Sequence, residues 1–251
     1  MFVTNLNQAP IRVFESLDST MHQAAEYARK PYDEGLAVMA HEQTAGRGRR
    51  GRQWLSNPEA GLWATLLLRP SRNQEDWPSL GLVFAVSLAQ TLESVTGEKF
   101  QLKWPNDIWY REAKLAGILM EPIHEGSALA LGFGINYTTP QAVKDAPLRH
   151  PAIGLNATTS DVPKPQKLLE LIRENLSAPY NGWNLGQWES SRQAFEERDL
   201  LRDTPICWRD NGEQSEGIGR GIDERGRLRV EMSDGALNYL SAAEVDRISK
   251  T

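Results

Sequence analysis

After one long helical period the chain runs through three successive strand patterns joined by short turns, and that order of elements limits the fold more than any other feature. From Leu80 to Val95 apolar side chains recur at Leu80, Phe84, Leu88, Leu92 and Val95, with Val83, Ala85 and Val86 widening the face and Gly97 standing as a stop. This is the spacing of a well-buried helix. Phe100 to Tyr110, Leu115 to Glu121 and Leu129 to Tyr137 then read as strands, as do Gly35 to Glu42 and Gly61 to Arg69 upstream. Strands and helices do not alternate as βαβ units, which argues for an α+β main domain.

Helix signals are fewer. Thr20-Met21-His22-Gln23 has the spacing of a capping box, with Thr20 as the cap and Gln23 reaching back, ahead of an alanine-rich stretch that Pro31 stops. Pro165 to Leu176 is a third helix, which Pro179 is expected to end, and Leu185 to Glu197 a fourth. After Arg202 the texture changes to short β-like runs at Pro205 to Arg209, Gln214 to Ile222, Arg227 to Met232 and Leu237 to Leu240, with turn signals at Asp223-Glu224-Arg225-Gly226 and Asp234-Gly235. The expected division is a main domain over 1–202 and a small all-β barrel over 203–251.

The chain has 251 residues, a net charge of -5 and a single cysteine, Cys207. Core size is not limiting, an internal disulfide is excluded, and no His/Cys cluster has zinc-ligand spacing. The N-terminus carries no signal-peptide pattern and no window reads as a membrane span, so a cytoplasmic protein without a membrane partner is expected.

Against this acidic background the run Gly46-Arg47-Gly48-Arg49-Arg50-Gly51-Arg52-Gln53-Trp54 concentrates four guanidiniums and three glycines between two strands. Glycine lets a backbone approach a ligand closely, and arginine presents paired donors that fit carboxylate and phosphate oxygens. The same composition suits an ordinary basic surface loop or a nucleic-acid patch. Three further segments carry residue types that an anion site needs: Lys103-Trp104-Pro105-Asn106-Asp107, Lys114-Leu115-Ala116-Gly117 and Gly132-Phe133-Gly134-Ile135-Asn136. Proline in a strand run implies a bend or an edge, and alternating glycines imply that a ligand or another backbone lies against the strand.

Taken in order with Ser19-Thr20 and Gln43-Thr44-Ala45, and with Arg220-Gly221-Ile222-Asp223 downstream, these segments resemble the biotin protein ligase family over essentially the whole chain. The resemblance implies a mixed sheet covered by helices, the catalytic fold akin to class II aminoacyl-tRNA synthetases, followed by a C-terminal SH3-like barrel. It also implies two-step chemistry. Biotin and MgATP form biotinyl-5′-adenylate, and the biotinyl group passes to a lysine of the biotin carboxyl carrier protein of acetyl-CoA carboxylase.

The resemblance further implies residue roles. Lys114, Arg49 and Asp107 are the catalytic candidates; Asp107 orients or deprotonates the acceptor amine, with a structural or magnesium-linked carboxylate as the equal alternative. Ser19, Thr20, Gln43, Arg47, Gly48, Arg49, Lys114 and Gly117 are expected at biotin, with Met21 as pocket wall only, because bacterial members often have an asparagine there. Arg47, Arg49, Arg52, Trp54, Asn106, Lys114, Gly134 and Asn136 are expected at ATP. No protein metal site is expected, since magnesium comes with ATP.

About 18 residues precede Ser19, too few for the DNA-binding domain of many bacterial relatives, so neither a repressor role nor a nucleic-acid partner is expected. A monomer or weak homodimer is the expected state. The rival is a lipoate or octanoate ligase or transferase of the same fold. It would need an Arg-Arg and triple-glycine signature in place of Arg47 to Arg52, or a cysteine nucleophile in the main domain.

Overall fold

In the computed structural model, which describes residues 4–139, 150–210 and 213–248, seven strands form one mixed sheet. They are β1 (Ile11–Leu17), β2 (Ala37–Gln43), β3 (Gly61–Leu68), β4 (Gln101–Lys103), β5 (Asp107–Tyr110), β6 (Ala113–Ile123) and β7 (Ala128–Asn136), in the spatial order β1-β2-β3-β7-β6-β5-β4. Only β1 and β2 run parallel; every other neighbouring pair is antiparallel. The central pair, β3 and β7, is buried along its whole length, which is why these strands read as nearly continuous apolar runs rather than alternating ones.

Helices cover both faces. α1 (Thr20–Ala28) lies on one side, where Ala24 and Ala28 pack with Val38 and Leu67. α2 (Trp77–Thr96) and α3 (Pro165–Asn184) lie on the other with Ala37, Met39, Leu66 and Leu68. The alternation along β2 and β3 thus sorts side chains between two helical layers. α4 (Glu189–Glu196) packs on α2. α2 ends where expected, on Gly97 in the left-handed conformation (φ 75°), with its N–H donating to the carbonyl of Glu93.

Several expectations need correction. α1 is capped by Ser19, whose Oγ accepts from the Met21 N–H, rather than by Thr20; the Thr20 hydroxyl is drawn instead to Gln43 and Thr65. Phe100 to Tyr110 is two strands, parted by a turn over Trp104-Pro105-Asn106 with a cis Trp104–Pro105 peptide. Pro179 does not end α3: the helix continues because Tyr180 and Trp183 beyond it are fully buried. That burial outweighs a helix-interior proline's cost of about 3 kcal/mol. β1, exposed at Arg12, Val13, Glu15 and Ser16, has no counterpart in the sequence reading. Gln74–Thr96 is long and apolar enough to cross a membrane by composition, contrary to expectation, but 72% of the 18-residue apolar window within it is buried in this protein's core.

The C-terminal strands β8 (Pro205–Asp210), β9 (Glu213–Ile222), β10 (Leu228–Glu231), β11 (Leu237–Leu240) and β12 (Glu244–Arg247) form a second, antiparallel sheet in the order β11-β10-β9-β8-β12. It is seated on the main sheet's β4–β5 turn and on α2. The Trp104 indole donates to the Gly226 carbonyl at 3.0 Å. Gly226 has φ 78°, a left-handed conformation that favours glycine, and a Cβ there would lie 2.9 Å from Leu82 Cδ1. The α+β class, with a helix-covered mixed sheet and a C-terminal sheet domain, is the one expected.

Candidate active site

The loop between β2 and β3, the β4–β5 turn, β6, β7 and the start of α1 enclose a cavity of about 290 Å³. At the α1 end it is lined by Ser19, Met21 and Gln43, while Thr20 stands behind Gln43 and is not among the lining residues. Ser19 and Thr20 are buried at the start of α1. The Thr20 backbone N–H and its hydroxyl both donate to Gln43 Oε1, at 2.8 and 3.1 Å. Gln43 closes β2 and donates through Nε2 to Ser56 Oγ at 3.1 Å. Met21 lines the cavity against Gly132, where a Cβ would stand 2.7 Å from its sulfur.

Charge gathers in the middle of the cavity. Lys114, near the start of β6, is held by its own backbone, which accepts from Ile153 N–H (3.0 Å) and donates to the Pro151 carbonyl (2.8 Å). A register shift between Ile108 and Trp109 pairs Lys114 with Trp109 and Gly117 with Asp107. The Lys114 ammonium consequently stands 2.7 Å from Asp107 Oδ1, an ion pair rather than an aligned hydrogen bond. Arg49 donates to Asn106 Oδ1 at 3.1 Å, and Asn106 donates through Nδ2 to the Ile118 carbonyl at 2.7 Å. Burial holds the Arg49 guanidinium below its ordinary range, and the Asp107 carboxylate opposes that shift. The group stays cationic at any pH the protein would meet.

Trp54 lies over the middle of the sheet. Gly117 and Gly134 face each other across β6 and β7, and a Cβ on either would stand 2.8 Å or 2.6 Å from the indole. The room left by these two glycines is thus taken by Trp54, whose Nε1 is buried without a partner. Lys114 Nζ sits 5.2 Å from the indole centroid. Asn136, at the end of β7, lines the cavity and donates to the Ile153 carbonyl at 3.3 Å. Gly48 lines it with its backbone, donating to the Arg52 carbonyl at 2.8 Å.

The remaining guanidiniums are paired with carboxylates. Arg47 makes a two-pronged contact with Glu121, at 2.8 and 2.9 Å. Arg52 pairs with Glu244, and Arg50 stands 3.9 Å from the same carboxylate. Of the four, Arg49 alone reaches the Asn106–Asp107 segment. Sequence reasoning missed Glu121 and Glu244, and no local signal marks them. It also missed Ser56 and Thr65, although Thr65 is the one hydroxyl in the apolar strand β3. Lys103 is 6% exposed and bonds Asp246 at 2.9 Å and His150 at 3.0 Å, tying the cavity rim to β12.

Residues 13–136 match the model of the biotin/lipoate A/B protein ligase family, and residues 208–247 match the biotin protein ligase C-terminal domain. The chain is 33% identical over 235 residues to a biotin–[acetyl-CoA-carboxylase] ligase of Paracoccus denitrificans, spanning 91% of this chain and 96% of that one. It is 31% identical to the bifunctional ligase/repressor BirA of Bacillus subtilis over 90% of this chain and 70% of the relative. Among solved structures, the biotin protein ligase of Aquifex aeolicus in complex with biotin and ATP has a TM-score of 0.83 at 26% identity, covering 95% of this chain and 99% of that one. With identity across nearly the full length of a ligase, and with both family models in the same order along the chain, this protein belongs to the biotin protein ligase family of ATP-dependent ligases.

Proposed function

We propose that this protein is a biotin–[acetyl-CoA-carboxylase] ligase that converts biotin and ATP to biotinyl-5′-adenylate and pyrophosphate, then transfers the biotinyl group to one lysine of the biotin carboxyl carrier protein. The observation that carries this reading is that the Arg49–Asn106 and Lys114–Asp107 pairs line a single cavity together with Ser19 and Gln43, the latter held from behind by Thr20. A ring with polar edges fits the α1 end. The carboxylate on its tail then reaches the cationic middle.

The first step brings two anions together, and Arg49 and Lys114 lower that repulsion. A biotin carboxylate oxygen attacks the α-phosphorus and pyrophosphate leaves with the bonding electrons. Charge that builds on the α-phosphoryl oxygens is met by groups already held in place, Lys114 by its clamped backbone and Arg49 by Asn106. Arg47 and Arg52 exchange Glu121 and Glu244 for ligand oxygens, while Gly48 and Gly117 line the biotin side. Trp54, Gly134 and Asn136 line the nucleotide side, with the indole moving off the glycines to admit it.

In the second step the acceptor amine attacks the acyl carbon, AMP leaves with the electrons of the acyl–oxygen bond, and the nitrogen loses a proton. Asp107 is the carboxylate placed to orient that amine or take the proton. Magnesium would enter as part of the nucleotide substrate, with Asn106 and Asp107 as nearby oxygen donors. We assign 1–202 to the catalytic domain and 203–251 to an SH3-like module, acting in the cytoplasm as a monomer or weak homodimer without nucleic-acid or membrane partners.

The test is to incubate the protein with MgATP and a biotin carboxyl carrier domain, offering biotin, lipoate or octanoate in parallel, and to weigh the carrier. A mass gain with biotin alone is expected. A gain with lipoate or octanoate instead would move the protein to the lipoate branch of the fold.

A further inference from the structure

Thr65 sits in the middle of β3, fully buried, where every neighbour in the strand is apolar or glycine. A hydroxyl in such a place costs free energy unless it is hydrogen-bonded, and its partner here leads directly to the candidate site. Thr65 Oγ1 donates to Thr20 Oγ1 at 2.9 Å, and Thr20 Oγ1 donates to Gln43 Oε1 at 3.1 Å. Gln43 Nε2 donates to Ser56 Oγ at 3.1 Å, and the Ser56 hydroxyl points on to the Trp54 carbonyl at 3.4 Å. The hydrogens in this chain run in one direction. Gln43 Oε1 receives two donors from Thr20, so the amide cannot turn over without facing an N–H with an N–H.

A second observation shows that the arrangement is built. A Cβ on Gly46 would lie 2.5 Å from the Trp54 carbonyl, 2.9 Å from Ser56 Oγ and 3.2 Å from Gln43 Nε2. Only glycine lets those three groups converge. The chain therefore joins the sheet interior, the α1 end of the cavity and the carbonyl of the aromatic residue that covers it.

We propose that Thr65 and Ser56 are positioning residues that lock the Gln43 side-chain amide with its carbonyl committed to Thr20, leaving the second Nε2 hydrogen to offer the ligand. Ser19 Oγ accepts from the Met21 N–H, so its own hydrogen is also available. The α1 end then presents two donors to a carbonyl oxygen, and the lock favours a ligand ring that carries one, as a cyclic urea does, over a ring without an acceptor. This rests on the biotin reading above.

The experiment compares wild type, Thr65→Val, Thr65→Ser and Ser56→Ala in biotin-dependent pyrophosphate release, with KM for biotin, KM for ATP and thermal midpoint measured for each. Valine preserves the shape and removes the donor. Thr65→Val is expected to raise the biotin KM about tenfold, the loss of roughly one oriented hydrogen bond, with the ATP KM within twofold. Thr65→Ser is expected to restore the biotin KM to within about threefold of wild type. Ser56→Ala should repeat the biotin-selective rise and keeps the test open if the valine variant does not fold. An unchanged biotin KM in Ser56→Ala or in folded Thr65→Val overturns the proposal, as does a rise in both KM values that serine does not reverse. Wild type that releases no pyrophosphate with biotin would instead sink the functional reading.

Discussion

Lys114 and Arg49 show how much a single side chain depends on what holds it. Both are long, flexible cations, yet Lys114 has its backbone bonded on both sides and its ammonium against Asp107, and Arg49 is held by an asparagine that is itself bonded to the sheet. Groups so held need no reorganisation when charge develops beside them. Lys114→Ala is expected to lower the rate of biotin-dependent pyrophosphate release by about 10²- to 10³-fold. Its thermal midpoint should stay within a few degrees of wild type, since the Lys114 side chain is a quarter exposed. Pyrophosphate release and a melting curve on the same preparation check both parts. Each residue type was legible as an anion contact in the sequence. Which of four adjacent arginines turns to Asn106 was not, because neighbouring residues of a loop point wherever the loop's own turns send them, and Arg50 sits in the left-handed conformation (φ 57°).

At the scale of elements, strands and helices followed their periodicities, and the departures have physical causes. The Phe100 to Tyr110 run broke where the β4–β5 turn carries proline, and α3 ran through Pro179 because its far end is buried. The paired glycines of β6 and β7 give a sharper test. Gly134→Ala would place a methyl group 2.6 Å from the Trp54 indole, and the loop is freer to move than two central strands. The expected result is a folded protein with faster trypsin cleavage in the arginine loop; a cleavage rate equal to wild type would show that the indole does not rest there.

The joint between α4 and β8 supplies a pH-dependent expectation. Asp199 bonds Leu201 N–H through Oδ1, its Oδ2 is buried without a partner, and burial pushes its pKa up to about 7. A carboxyl whose folded pKa lies above its unfolded value is easiest to bury when protonated, so its contribution to stability falls as pH rises from about 4 to 7 and is flat above. Asp199→Asn should therefore gain stability relative to wild type on going from pH 5 to pH 8, as denaturant titrations at the two pH values would read.

Across the whole molecule, the C-terminal sheet is part of the site rather than an appendage beside it. Ala243, Glu244 and Val245 line the cavity, Glu244 meets Arg52, and Asp246 meets Lys103 and His150. Asp246→Ala removes a carboxylate from an almost fully buried ammonium, and a loss of about 1.5–3 kcal/mol in unfolding free energy is expected. Chemical denaturation followed by fluorescence measures it, and a loss below 0.5 kcal/mol, about the noise of a surface substitution, would show that this seam contributes little.

What the sequence by itself determined was the class of elements, the order of the ligase motifs, the glycine-rich cationic loop and the residue types that handle carboxylate and phosphate. These follow from spacing and side-chain chemistry, which act over a few residues and can be read in one dimension. Only the tertiary structure decided that Arg47 meets Glu121 across 74 residues of chain, that a register shift brings Lys114 to Asp107, that Trp54 fills the space over two glycines, and that Thr65 anchors the Gln43 amide. Those partners are chosen by strand register and domain docking, where distance along the chain says nothing about distance in space.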